Sequence, residues 1–219
     1  MATKKTVGVV LSGCGFLDGA EIHEATLTLL SLDRRGATVV AMAPNVEQVD
    51  VVNHAQRKPG EGRRIVLQEA ARITRGAIRD LTTVDGKELD ALVFPGGFGV
   101  AKNLCTWAVD GPRMKVNAEV ERLIRQLHGQ KKPMGFICIA PVLAAKVLGD
   151  GVRLTIGNEQ ETADGIEAMG ATHVSHSVEE VEVDQKKRVI STPAYMLGPS
   201  IAPVSAGIDR LVSALLEMA

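Results

Sequence analysis

The feature that most restricts this fold is the regular return of short, almost continuous apolar runs between stretches of helical periodicity. Thr6–Leu11, Ala37–Ala43, Leu89–Phe94 and Pro133–Ile137 are such runs. A strand buried on both faces has no polar side to alternate, and strands of that kind belong to parallel sheets covered by helices on both faces. Between the runs, Ala20–Arg35 places Ile22, Leu29 and Leu32 at helical spacing and is followed by Gly36, a residue suited to the position past a helix end. Arg64–Arg75 and Val116–His128 repeat the pattern. The expected fold is therefore α/β, a mostly parallel sheet sandwiched by helices. Later, Val178–Asp184 and Arg188–Thr192 flank the polar turn Gln185-Lys-Lys187 and predict a β-hairpin, and a last helix is expected around Ile208–Met218. Asn45–Arg63, with Pro59, Gly60 and Gly62, interrupts the alternation as a polar excursion.

A chain of 219 residues is long enough for one substantial core, and it is read as one domain over 1–219. With a formal charge of -1 there is no electrostatic reason to bind nucleic acid or an anionic membrane surface, and aromatics at 3% argue against base stacking. Neither partner is expected. No apolar span of transmembrane length and no convincing signal segment follows MATKK, so a cytoplasmic protein is expected, or an organellar one if a leader has been removed. Cys14, Cys105 and Cys138 form no CxxC pair and have no histidine at zinc-finger spacing. Neither a disulfide framework nor a metal or other cofactor is expected.

In open α/β sheets ligands bind beyond the carboxyl ends of the strands, so three loops belong together. After the first strand comes SGCGFLDGAEIHEA. Its G-x-G-x-x-x-G spacing, and the lack of an acidic residue at the end of the second strand, do not fit a dinucleotide fingerprint. It does offer Glu21 and Glu24 near a helix start, where acids also serve the helix dipole. Glu24 lies beside Ala25 and Leu27, and a carboxyl buried there would have a raised pKa. After the third strand, the Gly96-Gly97 pair of PGGFG can turn backbone N–H groups toward one point, although such a sequence also makes an ordinary tight turn. After the fourth, GFICIAP puts Cys138 at a strand end with Pro141 suited to the first helical position. A helix N-terminus there would favour thiolate over thiol. The alternative is a cysteine that merely packs, and Phe136 is larger than the small residue usual two places before an elbow nucleophile. Cys14, on the glycine-rich loop, is the second candidate nucleophile; Cys105 is expected to pack beside Trp107.

A glutamate on the first helix, a PGG loop and a cysteine elbow in that order resemble the DJ-1/PfpI superfamily, which shares its fold with the class I glutamine amidotransferases. More narrowly, LSGCGFLDGAEIHEA, APNVEQVDVVNH, EAARITRGAI, FPGGFGVAKNL, FICIAPVLAAKVL, RLTIGNEQET and VISTPAYM resemble the ElbB/ES1 group, described as isoprenoid-biosynthesis proteins with an amidotransferase-like domain and also as glyoxalases. The resemblance implies a flavodoxin-like sandwich, Cys138 as nucleophile, Glu24 as its acid partner, an oxyanion hole from the backbone N–H groups of Gly97 and Ile139, and a homodimer. Glu21 remains a second choice for the acid. Gly96, Cys14, Asn53 and His54 are candidate lining residues.

Two departures narrow the chemistry. Amidotransferases place histidine after a late strand where this chain reads Pro193-Ala-Tyr-Met196, and Ile139 follows the cysteine where related proteases carry histidine. Glutamine and peptide hydrolysis are not expected. A histidine base would have to come from His23, His54, His128 or His176, with His54 favoured. The implied activity is conversion of glyoxal, or another small 2-oxoaldehyde, to a hydroxy acid such as glycolate through a Cys138 hemithioacetal. The alternatives are a sensor whose Cys138 is oxidised or adducted, which needs the thiol alone, and a non-catalytic scaffold.

Overall fold

The computed structural model describes residues 4–219, so Met1-Ala-Thr3 of the opening MATKK lies outside the described residues. The chain runs β1 (Thr6–Val10), α1 (Ile22–Arg34), β2 (Thr38–Ala43), β3 (Val52–Asn53), β4 (Lys58–Pro59), α2 (Val66–Ile73), β5 (Arg79–Asp80) and β6 (Ala91–Phe94). It continues with α3 (Trp107–Asp110), α4 (Ala118–Gly129), β7 (Met134–Ile137), α5 (Pro141–Leu148), β8 (Arg153–Leu154) and α6 (Gln160–Ala168). Last come β9 (Thr172–His173), β10 (Glu182–Asp184), β11 (Val189–Thr192) and α7 (Ile201–Met218). The main sheet has the order β10-β11-β7-β6-β1-β2-β5 and is parallel except for β10, which pairs antiparallel with β11 as the expected hairpin.

Both faces of the central strands are buried, which is why their sequences are apolar without interruption. Leu92, Phe94, Met134 and Phe136 enter one core with Val120, Leu123, Ile124 and Leu127 of α4 and with α5. Val7, Val9, Ala91, Val93 and Ile137 enter the other with Ala25 and Leu32 of α1 and Ile208, Leu211 and Leu215 of α7. The rings of Phe94 and Phe136 stack with centroids 5.0 Å apart. Phe136 therefore fills the α4/α5 core while Cys138 packs on the α1/α7 side. Cys138 leaves the strand with φ of +62°, which breaks the period-two alternation, so the bulk of Phe136 does not crowd the elbow.

Three expectations are corrected. The last helix starts at Ile201 rather than near Ile208, because Pro203 stands in its first turn, where a missing N–H has no helical partner to lose. The first arm of the hairpin is Glu182–Asp184 only, not the whole of Val178–Asp184. The excursion is also more ordered than a polar connection suggests: β3 and β4 pair, and the N–H of Val52 donates to Asp18 Oδ2 at 2.7 Å, tying the segment to the loop after β1.

Candidate active site

The loops after β1, β6, β7 and β11 meet at one end of the sheet. On α1, Glu21 caps the helix by accepting the Glu24 N–H at 2.7 Å, and this leaves the next turn pointing inward. Glu24 is fully buried. Its Oε2 accepts the N–H of Gly96 at 2.8 Å, its Oε1 accepts the N–H of Tyr195 at 3.2 Å, and its carboxyl is hydrogen-bonded to the Cys138 thiol. Burial, then the charge of Glu21, push its pKa up to about 8 against the opposing pull of those hydrogen bonds.

Cys138 sits in the left-handed region at the end of β7, a conformation that costs on the order of 1–3 kcal/mol and persists where the surroundings enforce it. Its N–H is held by the carbonyl of Thr192 at 2.9 Å on β11, and Pro141 opens α5 just beyond it, as the sequence suggests. The backbone N–H groups of Gly97 and Ile139 both point at the sulfur. The expectation that a helix N-terminus would favour the thiolate is not met. Burial first, and the Glu24 carboxylate second, raise the Cys138 thiol well above its ordinary value, and the two N–H groups only partly offset them. The resting group is a thiol beside a carboxyl that can take its proton.

Gly96 and Gly97 have different reasons to be glycine. A Cβ on Gly96 would lie 2.4 Å from Cys138 Cβ and 2.7 Å from Glu24 Oε2. Gly97 has φ of +99° and packs on the backbone of Gly19 and Ala20, which turns its N–H toward the thiol.

Cys138 opens onto a cleft of about 1570 Å³ that is also lined by Glu21, Gly97, Ile139, Phe98, Trp107 and Val109. His23 and Tyr195 line it too, with His23 Nδ1 2.7 Å from Tyr195 Oη. Of these, Tyr195 was missed as a site residue, and His23 was named only as one of four histidines able to supply a base. Tyr195 stands in the VISTPAYM segment, which drew attention only for lacking a histidine, and its role becomes visible once β11 is paired with β7.

Other candidates fall elsewhere. Asn53 and His54 line a separate small depression with Val52 and Arg64. His54 Nε2 accepts the N–H of Leu17 at 3.3 Å, so it braces the β1 loop outside the main cleft; of the four candidate histidines, His23 is the one that lines that cleft. Cys14 is half-buried among Glu69, Arg72 and Asp18, outside the lining of the main cleft, and burial raises its thiol. Cys105 is buried, as expected, its pKa pushed up to about 12. All three cysteines are free. Among the described residues, no group of three or more His, Cys, Asp or Glu side chains is arranged to hold a metal ion.

No protein-family model matches the chain. It is similar to the rat (Rattus norvegicus) ES1 protein homolog, mitochondrial, at 49% identity over 222 aligned residues, covering 97% of this chain and 83% of the relative. The chain belongs to the ElbB/ES1 family. The crystal structure of an isoprenoid biosynthesis protein with amidotransferase-like domain from Ehrlichia chaffeensis agrees with this ElbB/ES1 assignment: 35% identity, a TM-score of 0.91, and coverage of 98% of this chain and 99% of that one. Glyoxalase III from Candida albicans, at 12% identity and a TM-score of 0.62 over 96% of this chain and 97% of that one, shares the fold of this ElbB/ES1 protein.

Proposed function

We propose that this ElbB/ES1 protein is a glyoxalase that converts glyoxal or a related 2-oxoaldehyde to the corresponding hydroxy acid without a cofactor. The observation that carries the reading is the buried contact between Cys138 and Glu24, with the N–H groups of Gly97 and Ile139 on the sulfur and an open cleft in front. Glu24 takes the thiol proton as the sulfur adds to one aldehyde carbon, and returns it to the new oxygen to give a hemithioacetal. That oxygen forms next to the sulfur, within reach of the two N–H donors. Glu24 then removes the hydrogen from the thiolated carbon and delivers it to the neighbouring carbon, leaving a thioester. Water cleaves the thioester, the thiol regains its proton, and glyoxal plus water has become glycolic acid. A carboxyl whose pKa is raised to about 8 suits both halves of this exchange near neutral pH.

The sensor reading is weaker, because a sensor cysteine gains from exposure and a low pKa, whereas Cys138 is 8% exposed with a raised pKa. Amidotransferase chemistry is disfavoured by Tyr195 at the place where those enzymes carry histidine. The name of the rat relative favours an organellar over a cytoplasmic location. The deciding experiment follows glyoxal and glycolate by NMR with wild type, Cys138→Ser and Glu24→Gln. Turnover lost in both folded variants supports the reading; conversion that survives Glu24→Gln overturns it.

A further inference from the structure

An internal redox reaction of a 2-oxoaldehyde moves two kinds of hydrogen. One passes between the carbons, and a proton must also pass between the two oxygens. Glu24 serves the carbons, since both of its oxygens are already held by backbone N–H groups and its remaining contact is the thiol. The N–H groups of Gly97 and Ile139 steady the first oxygen, but a backbone amide donates a hydrogen bond without parting with its proton. The second oxygen still needs a proton donor.

The cleft supplies a pair suited to that task. Tyr195 Oη lies 2.7 Å from His23 Nδ1, and both residues line the cleft onto which Cys138 opens. The hydroxyl belongs to the residue whose own N–H is fixed to Glu24 Oε1, at the end of a turn in which Ala194 has φ of +44°. His23 is exposed and precedes Glu24 by one residue on α1, so the pair joins the cleft to solvent. Burial, and then the charges of Glu21 and Glu24, raise the Tyr195 phenol, which stays protonated at neutral pH.

We propose that Tyr195, supported by His23, is a catalytic proton shuttle between the two oxygens of the bound substrate; this rests on the glyoxalase reading. As Glu24 takes the hydrogen from the first carbon, electrons move into the bond between the carbons and onto the second oxygen, which takes the Tyr195 proton to give an enediol. When Glu24 returns hydrogen to the second carbon, the first oxygen becomes the thioester carbonyl and its proton goes back to Tyr195. The tyrosine ends unchanged. His23 Nδ1 hydrogen-bonds the phenolate while it exists.

The test compares glyoxal turnover by wild type, Tyr195→Phe and His23→Ala, the last with and without added imidazole. Tyr195→Phe is expected to lower kcat by roughly 100-fold or more while changing KM by less than about twofold. Imidazole is expected to restore part of the kcat lost in His23→Ala. A kcat for Tyr195→Phe within about twofold of wild type overturns the shuttle and leaves the glyoxalase reading standing. An inactive wild type overturns both. Should Tyr195→Phe fail to fold, undiminished kcat in His23→Ala overturns the shuttle on its own.

Discussion

The carboxyl of Glu24 and the thiol of Cys138 share a hydrogen bond in a place where the acid has no exposure and the thiol almost none. Burial raises both groups, and the Glu24 carboxylate raises the thiol further while the thiol's hydrogen bond pulls the carboxyl back down, so of the two the carboxyl is the first to lose its proton. As pH rises through about 8 the carboxyl becomes able to accept the thiol proton, and the fraction of molecules able to present a thiolate grows. The rate of Cys138 alkylation by iodoacetamide, read by mass spectrometry, should rise with pH through that value. In Glu24→Gln this step should vanish; the same profile in both proteins would remove Glu24 from the role of base.

The same acid affects folding. Its pKa is about 8 in the native protein against 4.5 for the free group, so between those values the native state keeps a proton that the unfolded chain has released. Its contribution is most favourable below the lower value and declines as pH rises to the upper one, by an upper limit of about 5 kcal/mol. Thermal unfolding followed by circular dichroism should show Tm falling across this window in wild type and falling less in Glu24→Gln. Parallel pH profiles would contradict a buried Glu24 carboxyl.

Gly96→Ala should harm the site more than the fold. The added methyl has nowhere to go between Cys138 Cβ and Glu24 Oε2, and overpacking of this kind costs about 1–3 kcal/mol. Relief by moving the thiol about 1 Å should reduce turnover by about 100-fold. The check is turnover together with Tm. A variant with wild-type activity would mean that the thiol and the PGG loop are not in contact during reaction.

A four-heavy-atom dialdehyde leaves most of a 1570 Å³ cleft empty, and the walls at Phe98, Trp107 and Val109 are apolar. Phenylglyoxal should therefore have a lower KM than glyoxal, as expected where an apolar body is desolvated on binding. Trp107 is the single tryptophan of the chain, so fluorescence titration with the unreactive 1-phenyl-1,2-ethanediol reads the cleft directly. Quenching that weakens in Phe98→Ala is expected; no quenching, with equal KM values, would show that the outer cleft takes no part.

The parts of this architecture legible in the sequence are those written locally. The apolar runs of β1, β2, β6 and β7 carry their buried state in their own residues, and Pro141 marks the start of α5 wherever the rest of the chain goes. Cys138, Glu24 and Gly97 were singled out from loop chemistry and a resemblance, and the fold brings them together. Tyr195, and its pairing with His23, stayed hidden because their meeting depends on sheet order across 172 residues. His54 was misjudged for the same reason: a histidine in a functional-looking loop reveals nothing of the direction it faces, and here it faces Leu17 and Asp18. The ionisation of Cys138 was misread because a helix N-terminus is visible in sequence and full burial is not.

The hydrogen bonds that hold Glu24 span 72 residues to Gly96 and 171 residues to Tyr195. Contacts of such separation carry a loop-closure entropy cost that local contacts do not. In the unfolded chain nothing buries Cys138, and its thiol is more open to electrophiles and oxidants than in the finished protein. The completed sheet thus acts as a safety catch on its own nucleophile, and the hazardous interval for this chain is its maturation rather than its working life.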